Sequence, residues 1–325
     1  TMKNVIDYYK KIYYVMRRIR LVEEEISKNY KHQKMRCPTH LSIGQELVGG
    51  LISLFLKKND FAISTHRAHA HYLGKGGDLK ALISELYGKI TGCSKGRGGS
   101  MHLIDKKVSF MGSTAIVGSN IPIGVGLALS IKFDKLNKIS CIFLGDGSIE
   151  EGVFFESVNF TAVKPTPTLL ICENNNYSVY TPIHLRQPSD RKIYEMVESL
   201  GVKSFLADSR DINDTIIKFK KAVKFVRENK QPVFFEISTY RWKEHCGPND
   251  DDHLKYRSKK ELSEWKKADP LKEIEKLLLK NHLLTNGQIK KITNEIKDEI
   301  AKAFDYAEKS EFPKFNSVNI DEYAN

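Results

Sequence analysis

The chain has no run of 18 or more apolar residues, which excludes a membrane-spanning helix of ordinary length. Its opening, TMKNVIDYYKKIYYVMRR, has neither an apolar signal core nor transit-peptide character, so neither membrane insertion nor export is expected. Cysteine is scarce: Cys37, Cys93, Cys141, Cys172 and Cys246 show no CxxC spacing, and two of them sit inside apolar runs, where a thiol acts as a small hydrophobe. A reducing cytoplasm is the location this usage fits. There is no internal repeat and no low-complexity linker, and the glycine-rich GRGGS at 96–100 does not continue into GK[ST], so it reads as close-packing glycine and not as a phosphate loop.

What is present is enough apolar residue, 41% of 325, to bury a large core, either one big α/β domain with helical appendages or two modest domains. The net charge of +12 is compatible with an anionic ligand or an acidic partner surface. Its lysines concentrate on 218–230 and 255–267, mixed with acids and without RNP or zinc-finger patterns, so nucleic acid is not an expected partner.

Residues 4–34 read as a long charged helix, with Ile12, Val15, Met16, Ile19, Val22 and Ile26 at three- and four-residue spacing. From 35 onward short apolar runs at 60–64, 139–144, 168–172, 202–207 and 233–238 alternate with helical patterns near 42–56, 79–90, 119–133, 149–162 and 212–228. That alternation predicts an α/β fold, a parallel sheet flanked by helices on both faces, with ligands beyond the carboxyl ends of the strands. After 250 the strands stop, and 269–281 and 287–309 read as amphipathic helices. The expected organisation is an N-terminal helical arm (1–34), an α/β domain (35–250) and a C-terminal helical extension (251–325), with GPNDDD (247–252) as a mobile loop.

Two strand tips carry the chemistry. CIFLGDGS ends in Asp146 between two glycines, which leaves room for a large anion beside a carboxylate able to hold Mg²⁺. TLLICENNNY brings Asn175 to a second tip 29 positions later, and the carbonyl of Tyr177 offers another oxygen. The start of the 149–162 helix would add amide N–H groups for phosphate. Taken alone, Asp-Gly is an ordinary turn, and Ser148 with Glu151 fits a capping box that needs no ligand. His66, His69 and His71 could form a zinc cluster, though no Cys or acid nearby completes the set. His102 reads as structural, and Tyr8, Tyr9, Tyr13 and Tyr14 as a packing face.

GDG with a later NN resembles the diphosphate-binding motif of thiamine diphosphate enzymes. With THLSIGQE (39–46), STHRAHAHYLGKGGD (64–78), GCSKGRGGSMH (92–102), AIVGSNIPIGVGLAL (115–129) and TYRWKEH (239–245), the chain resembles the alpha subunit of the thiamine diphosphate-dependent component of 2-oxo acid dehydrogenase complexes, the pyruvate and acetoin dehydrogenase family. The resemblance implies that Asp146, Asn175 and the Tyr177 carbonyl hold Mg²⁺, and that Gly147, Ser148, His66, Arg67 and Arg241 face the diphosphate. It implies Ala115 and Val117 against the cofactor rings, His245 as the active-site histidine at the cofactor, and His40 near the substrate carboxylate. The family often has Tyr at the place of His66 and Gly at that of Ala115. The implied reaction is decarboxylation of a 2-oxo acid, or cleavage of acetoin, with the acyl or hydroxyalkyl unit passed to an acceptor such as a lipoyl group on an acyltransferase. The resemblance also implies a beta subunit, in an α2β2 assembly, supplying the Glu that activates the cofactor's pyrimidine, because this chain has strands for only one of the two α/β domains such a site needs. The alternatives are a specialised biosynthetic decarboxylase or transketolase-like transferase and, in another class, a non-catalytic diphosphate-binding scaffold subunit.

Overall fold

The structure, a computed structural model, describes residues 3–35 and 37–314. In chain order the elements are α1 (Lys3–Tyr30), α2 (Glu46–Phe55), β1 (Phe61–Ser64), α3 (His69–Gly74), α4 (Leu79–Leu86), β2 (Phe110–Ser113), α5 (Asn120–Phe133), β3 (Ser140–Gly145), α6 (Gly152–Val163) and β4 (Thr168–Asn174). A small hairpin comes next, β5 (Tyr177–Ser178) and β6 (Thr181–Pro182), then α7 (Ile193–Ser199), β7 (Lys203–Asp208), α8 (Ile212–Asn229), β8 (Val233–Ser238), α9 (Lys259–Lys267), α10 (Pro270–Lys280) and α11 (Asn286–Lys309).

Six strands form one parallel sheet in the order β2-β1-β3-β4-β8-β7. The central strands β3 and β4 are continuous apolar runs because both of their faces are covered. Side chains alternate between two cores: Cys141, Phe143, Leu169 and Ile171 meet α1, α2 and α8, whereas Ile142, Leu144, Leu170 and Cys172 meet α5, α6 and α7. The first core also takes in Ile12, Met16 and Ile19 of α1 and Leu278, Ile300 and Ala303 of the C-terminal helices. Buried Arg20 clamps α1 by pairing with Glu46 at the start of α2 and Asp269 at the start of α10.

Four local features differ from the pattern read in the sequence. Strand β2 was not foreseen, because FMGS is short, carries a glycine and lies at the sheet edge. Helix α2 starts at Glu46 and not at 42, since Gly44 takes a positive φ of +96°, where any Cβ would lie 2.4 Å from the Tyr240 carbonyl oxygen. Between 146 and 150 the chain forms a 3₁₀ turn, and α6 begins only at Gly152 without a side-chain cap, so Ser148 and Glu151 form no capping box. The 247–252 stretch is not a free loop: Asp251 is buried and accepts a 2.6 Å hydrogen bond from Arg257 and another from Tyr256.

Tyr9 and Tyr13 pack into the core as expected, and Tyr14 is exposed. The GRGGS loop wraps around a carboxylate of the chain itself. The amides of Ser94, Gly96, Gly98 and Gly99 all donate to buried Glu85, at 2.6–3.2 Å. His102 is exposed, and its carbonyl accepts from Ser94 in the same loop.

Candidate active site

Parallel strands end on the same side, so the loops after β1, β2, β3 and β4 converge at one edge of the sheet. There they enclose a cleft with about 890 Å³ of open space. His40, His66, Arg67, Ala115, Val117, Asp146, Gly147, Ser148, Asn175, Tyr177 and His245 all line it.

Asp146 ends β3 and is almost fully buried. Burial pushes its carboxyl pKa up, and the guanidinium of Arg186 opposes that shift. Asp146 Oδ1 accepts from the Asn175 amide at 3.4 Å, and Oδ2 is paired with Arg186. The three asparagines shape the second tip. Asn174 Oδ1 accepts from the Asn176 amide at 3.0 Å, and Asn176 takes a left-handed φ of 67°. Asn175 Oδ1 then accepts from the Tyr177 amide at 3.1 Å, while its Nδ2 donates to Gln45 at 3.3 Å. A carboxylate and an amide oxygen at neighbouring strand tips are hard oxygen donors of the kind Mg²⁺ prefers.

Three imidazoles cluster in the same cleft. Ring centroids lie 4.7 Å apart for His40 and His66, 5.1 Å for His40 and His245, and 5.2 Å for His66 and His245. Burial, reinforced by the neighbouring Arg67, pushes the pKa of His66 down to about 3 and those of His40 and His245 down to about 2. The trio is therefore neutral at pH 7. Each group has a folded pKa below its ordinary 6.5, so on acidification the unfolded chain takes up protons first. The stability these histidines contribute is whole above about pH 6.5 and is lost as pH falls toward their folded values, by up to about 1.4 kcal/mol per pH unit for each. Denaturant unfolding of the cofactor-free protein at pH 7, 6 and 5 should show a shallower loss in His66→Tyr than in wild type; equal slopes would show that His66 is charged in the folded state.

Arg67 is buried, and desolvation together with the repulsion of Arg241 lowers its pKa to about 9. Its hydrogen bonds go to the carbonyls of Leu41 at 2.7 Å and His245 at 3.1 Å, not to a carboxylate. The cleft thus holds a cation whose charge an anionic ligand would offset.

Arg241 stands just behind the cleft wall. It is not among the residues lining the cleft, and its guanidinium is engaged by Asp251, the Tyr256 hydroxyl and the carbonyls of Lys243 and Val179. It lies close enough to lower the pKa of His245, and one of its donors reaches the carbonyl of cleft-lining Val179. The zinc reading of His66, His69 and His71 also fails. His69 is held between Glu23 at 2.8 Å and Ser100 at 2.9 Å. His71 stacks on Phe143 and lies 2.7 Å from the Ser64 hydroxyl and 2.8 Å from Glu173. Gln45, Glu173, Ser178 and Val179 also line the cleft. Of these, only Glu173, the acid before the double Asn, left a sequence signal.

The dehydrogenase E1 component family model matches residues 14–316. The chain belongs to that family. It is similar to the pyruvate dehydrogenase E1 component subunit alpha of Rickettsia bellii (strain RML369-C), 37% identical over 311 residues that cover 96% of this chain and 94% of the relative. It is also similar to the mitochondrial pyruvate dehydrogenase E1 component subunit alpha-1 of Arabidopsis thaliana, 34% identical over 93% of this chain and 77% of the relative. Membership makes this E1 chain an alpha-type subunit of a thiamine diphosphate-dependent 2-oxo acid dehydrogenase. The residues present fit that cofactor: a buried cation without a carboxylate partner, an oxygen-donor cluster at the strand tips, and a buried His40 Nδ1 with no hydrogen-bond partner.

Proposed function

We propose that this chain is the alpha half of a two-chain 2-oxo acid dehydrogenase acting on pyruvate, and that Asp146, Asn175 and the Tyr177 carbonyl hold Mg²⁺ on the cofactor's diphosphate. The observation that carries the reading is the meeting of the β3 and β4 tips at Asp146 and Asn175, in one cleft with Arg67 and the three histidines.

Thiamine diphosphate, when bound, supplies the nucleophilic carbon and the electron sink for decarboxylation. The protein contributes position and electrostatics. Arg67 would offset the diphosphate charge, neutral His66 would offer it a hydrogen bond, and Gly147 and Ser148 would face it from the β3 tip. Gly147 has no room for a side chain: a Cβ there would meet the Ser178 hydroxyl at 2.8 Å. Ala115 and Val117, in the loop after β2, offer an apolar wall to the rings. Arg67 Nη2 lies 3.5 Å from His245 Nδ1, which favours the tautomer with the proton on Nε2. His245 then donates a hydrogen bond from Nε2 to a reacting oxygen and holds or returns a proton there. Neutral His40 directs a polar edge at the substrate carboxylate without adding a charge of its own.

The site is half complete. Among the described residues the carboxylates lining the cleft are Asp146 and Glu173, and Glu173 lies against His71. The carboxylate that must activate the pyrimidine comes, on this reading, from a beta subunit. The rim fits such a partner: Ile116 is 68% exposed, and Val117, Ile123, Phe155, Phe160 and Val163 continue an exposed apolar surface along α5 and α6. A lipoyl group on an acyltransferase is the proposed acceptor. The test is CO₂ release from pyruvate, other 2-oxo acids and acetoin, with an artificial electron acceptor, by this chain alone and with its beta partner. Turnover should need both chains, thiamine diphosphate and Mg²⁺. Turnover by this chain alone, or none by the pair with any of these substrates, would overturn the proposal.

A further inference from the structure

Asp146, the carboxylate proposed for the metal, is already occupied by a cation of the chain itself. Arg186 comes directly after the 3₁₀ turn Ile183–Leu185 that leaves β6, and its side chain is only 9% exposed. One terminal nitrogen is paired with Asp146 Oδ2, the other with Glu150, and Nε donates to the Thr181 carbonyl at 3.1 Å. Gln187 donates to the same Glu150 oxygen at 3.0 Å. The segment is tied to the asparagine tip as well, through the Ile183 amide and the Asn176 carbonyl at 2.8 Å. The other Asp146 oxygen accepts from the Asn175 amide. Both carboxylate oxygens therefore have partners inside the chain.

We propose that Arg186 is a resident counter-cation that competes with the divalent metal for Asp146, so that this carboxylate has an ionic partner before loading and the metal must displace the guanidinium. A buried carboxylate without a partner is costly, which accounts for an arginine brought to it by a surface hairpin. A dication and a guanidinium repel strongly when they share one buried carboxylate. The arginine state thus lowers the apparent affinity for metal alone, and metal arriving with the diphosphate has the added attraction of Arg67 to overcome it. A residue that only supported Asp146 would do the reverse, because its loss would loosen the carboxylate and weaken the metal. The inference rests on the reading of Asp146 as a metal ligand.

The experiment titrates Mn²⁺, monitored by electron paramagnetic resonance, into the complex of the full chain with its beta partner, first without and then with thiamine diphosphate. Without the diphosphate, Arg186→Gln should bind Mn²⁺ at least about tenfold more tightly than wild type, as expected when a competing state that dominates the population is removed. Arg186→Lys, which keeps the charge and loses the two-armed grip, should fall between them. Metal-free Arg186→Gln should also melt below wild type and regain the difference on adding Mn²⁺. Should the Gln variant fail to assemble, tighter binding by Arg186→Lys than by wild type is read in its place. Equal or weaker Mn²⁺ binding by the variants, alongside normal Mn²⁺-dependent cofactor binding by wild type, would overturn the role of Arg186 alone. Failure of wild type to bind Mn²⁺ even with thiamine diphosphate would overturn the metal reading of Asp146 and this inference with it.

Discussion

His245→Ala should lower turnover by about 100- to 10,000-fold, the usual range for losing a positioned proton donor or acceptor, while leaving cofactor affinity within a few-fold of wild type. The reason for the split is where the residue stands. His245 lies beside Arg67 in the imidazole cluster, and its neutral ring contributes little attraction to a diphosphate. Steady-state rates and cofactor titrations on the assembled complex check both halves of the expectation. Lost cofactor binding would move His245 from the reaction to the anchor. An unchanged rate would remove it from the mechanism, and His66 or His40, within 5.2 Å of it by ring centroid, would be the next to test.

Asp146→Ala should show the opposite pattern. Metal-dependent cofactor affinity should fall by more than about 100-fold, since even the outer partners of metal ligands are worth about 10- to 100-fold. Excess thiamine diphosphate and Mg²⁺ should restore part of the rate, because the groups facing the reaction are untouched. Asp146→Ala also leaves Arg186 and Glu150 to pair with each other, which limits the damage to the fold. The measurement is the dependence of rate on cofactor concentration. A variant that saturates at wild-type concentrations would mean that Asp146 does not hold the metal.

The two strand tips were legible because each joins a signal of hydrophobicity to one of chemistry. SCIFLG and TLLICEN are apolar enough to be central strands, and the residues just beyond each are polar in a way a turn alone does not require. Edge strand β2 carries no such run, and its place is set by pairing with β1, an interaction between residues 48 positions apart at Ala62 and Phe110. Arg186 was invisible for a related reason. It lies 40 positions beyond Asp146, and a short hairpin folds it back to a partner that no spacing rule links to it. Motif order says which strand end Arg241 stands after and not what its side chain meets, and its contacts with Asp251 and the Val179 carbonyl carry no sequence signal. The capping box failed for a different cause, in that Ser148 belongs to a 3₁₀ turn whose backbone already closes on itself.

The most direct test is calorimetric titration of thiamine diphosphate into the complex of this chain with its beta partner, once with Mg²⁺ and once with the metal chelated. One cofactor bound per alpha chain with Mg²⁺, and no measurable heat with chelator, is the predicted result. Equal binding in chelator, or no binding with Mg²⁺, would contradict it.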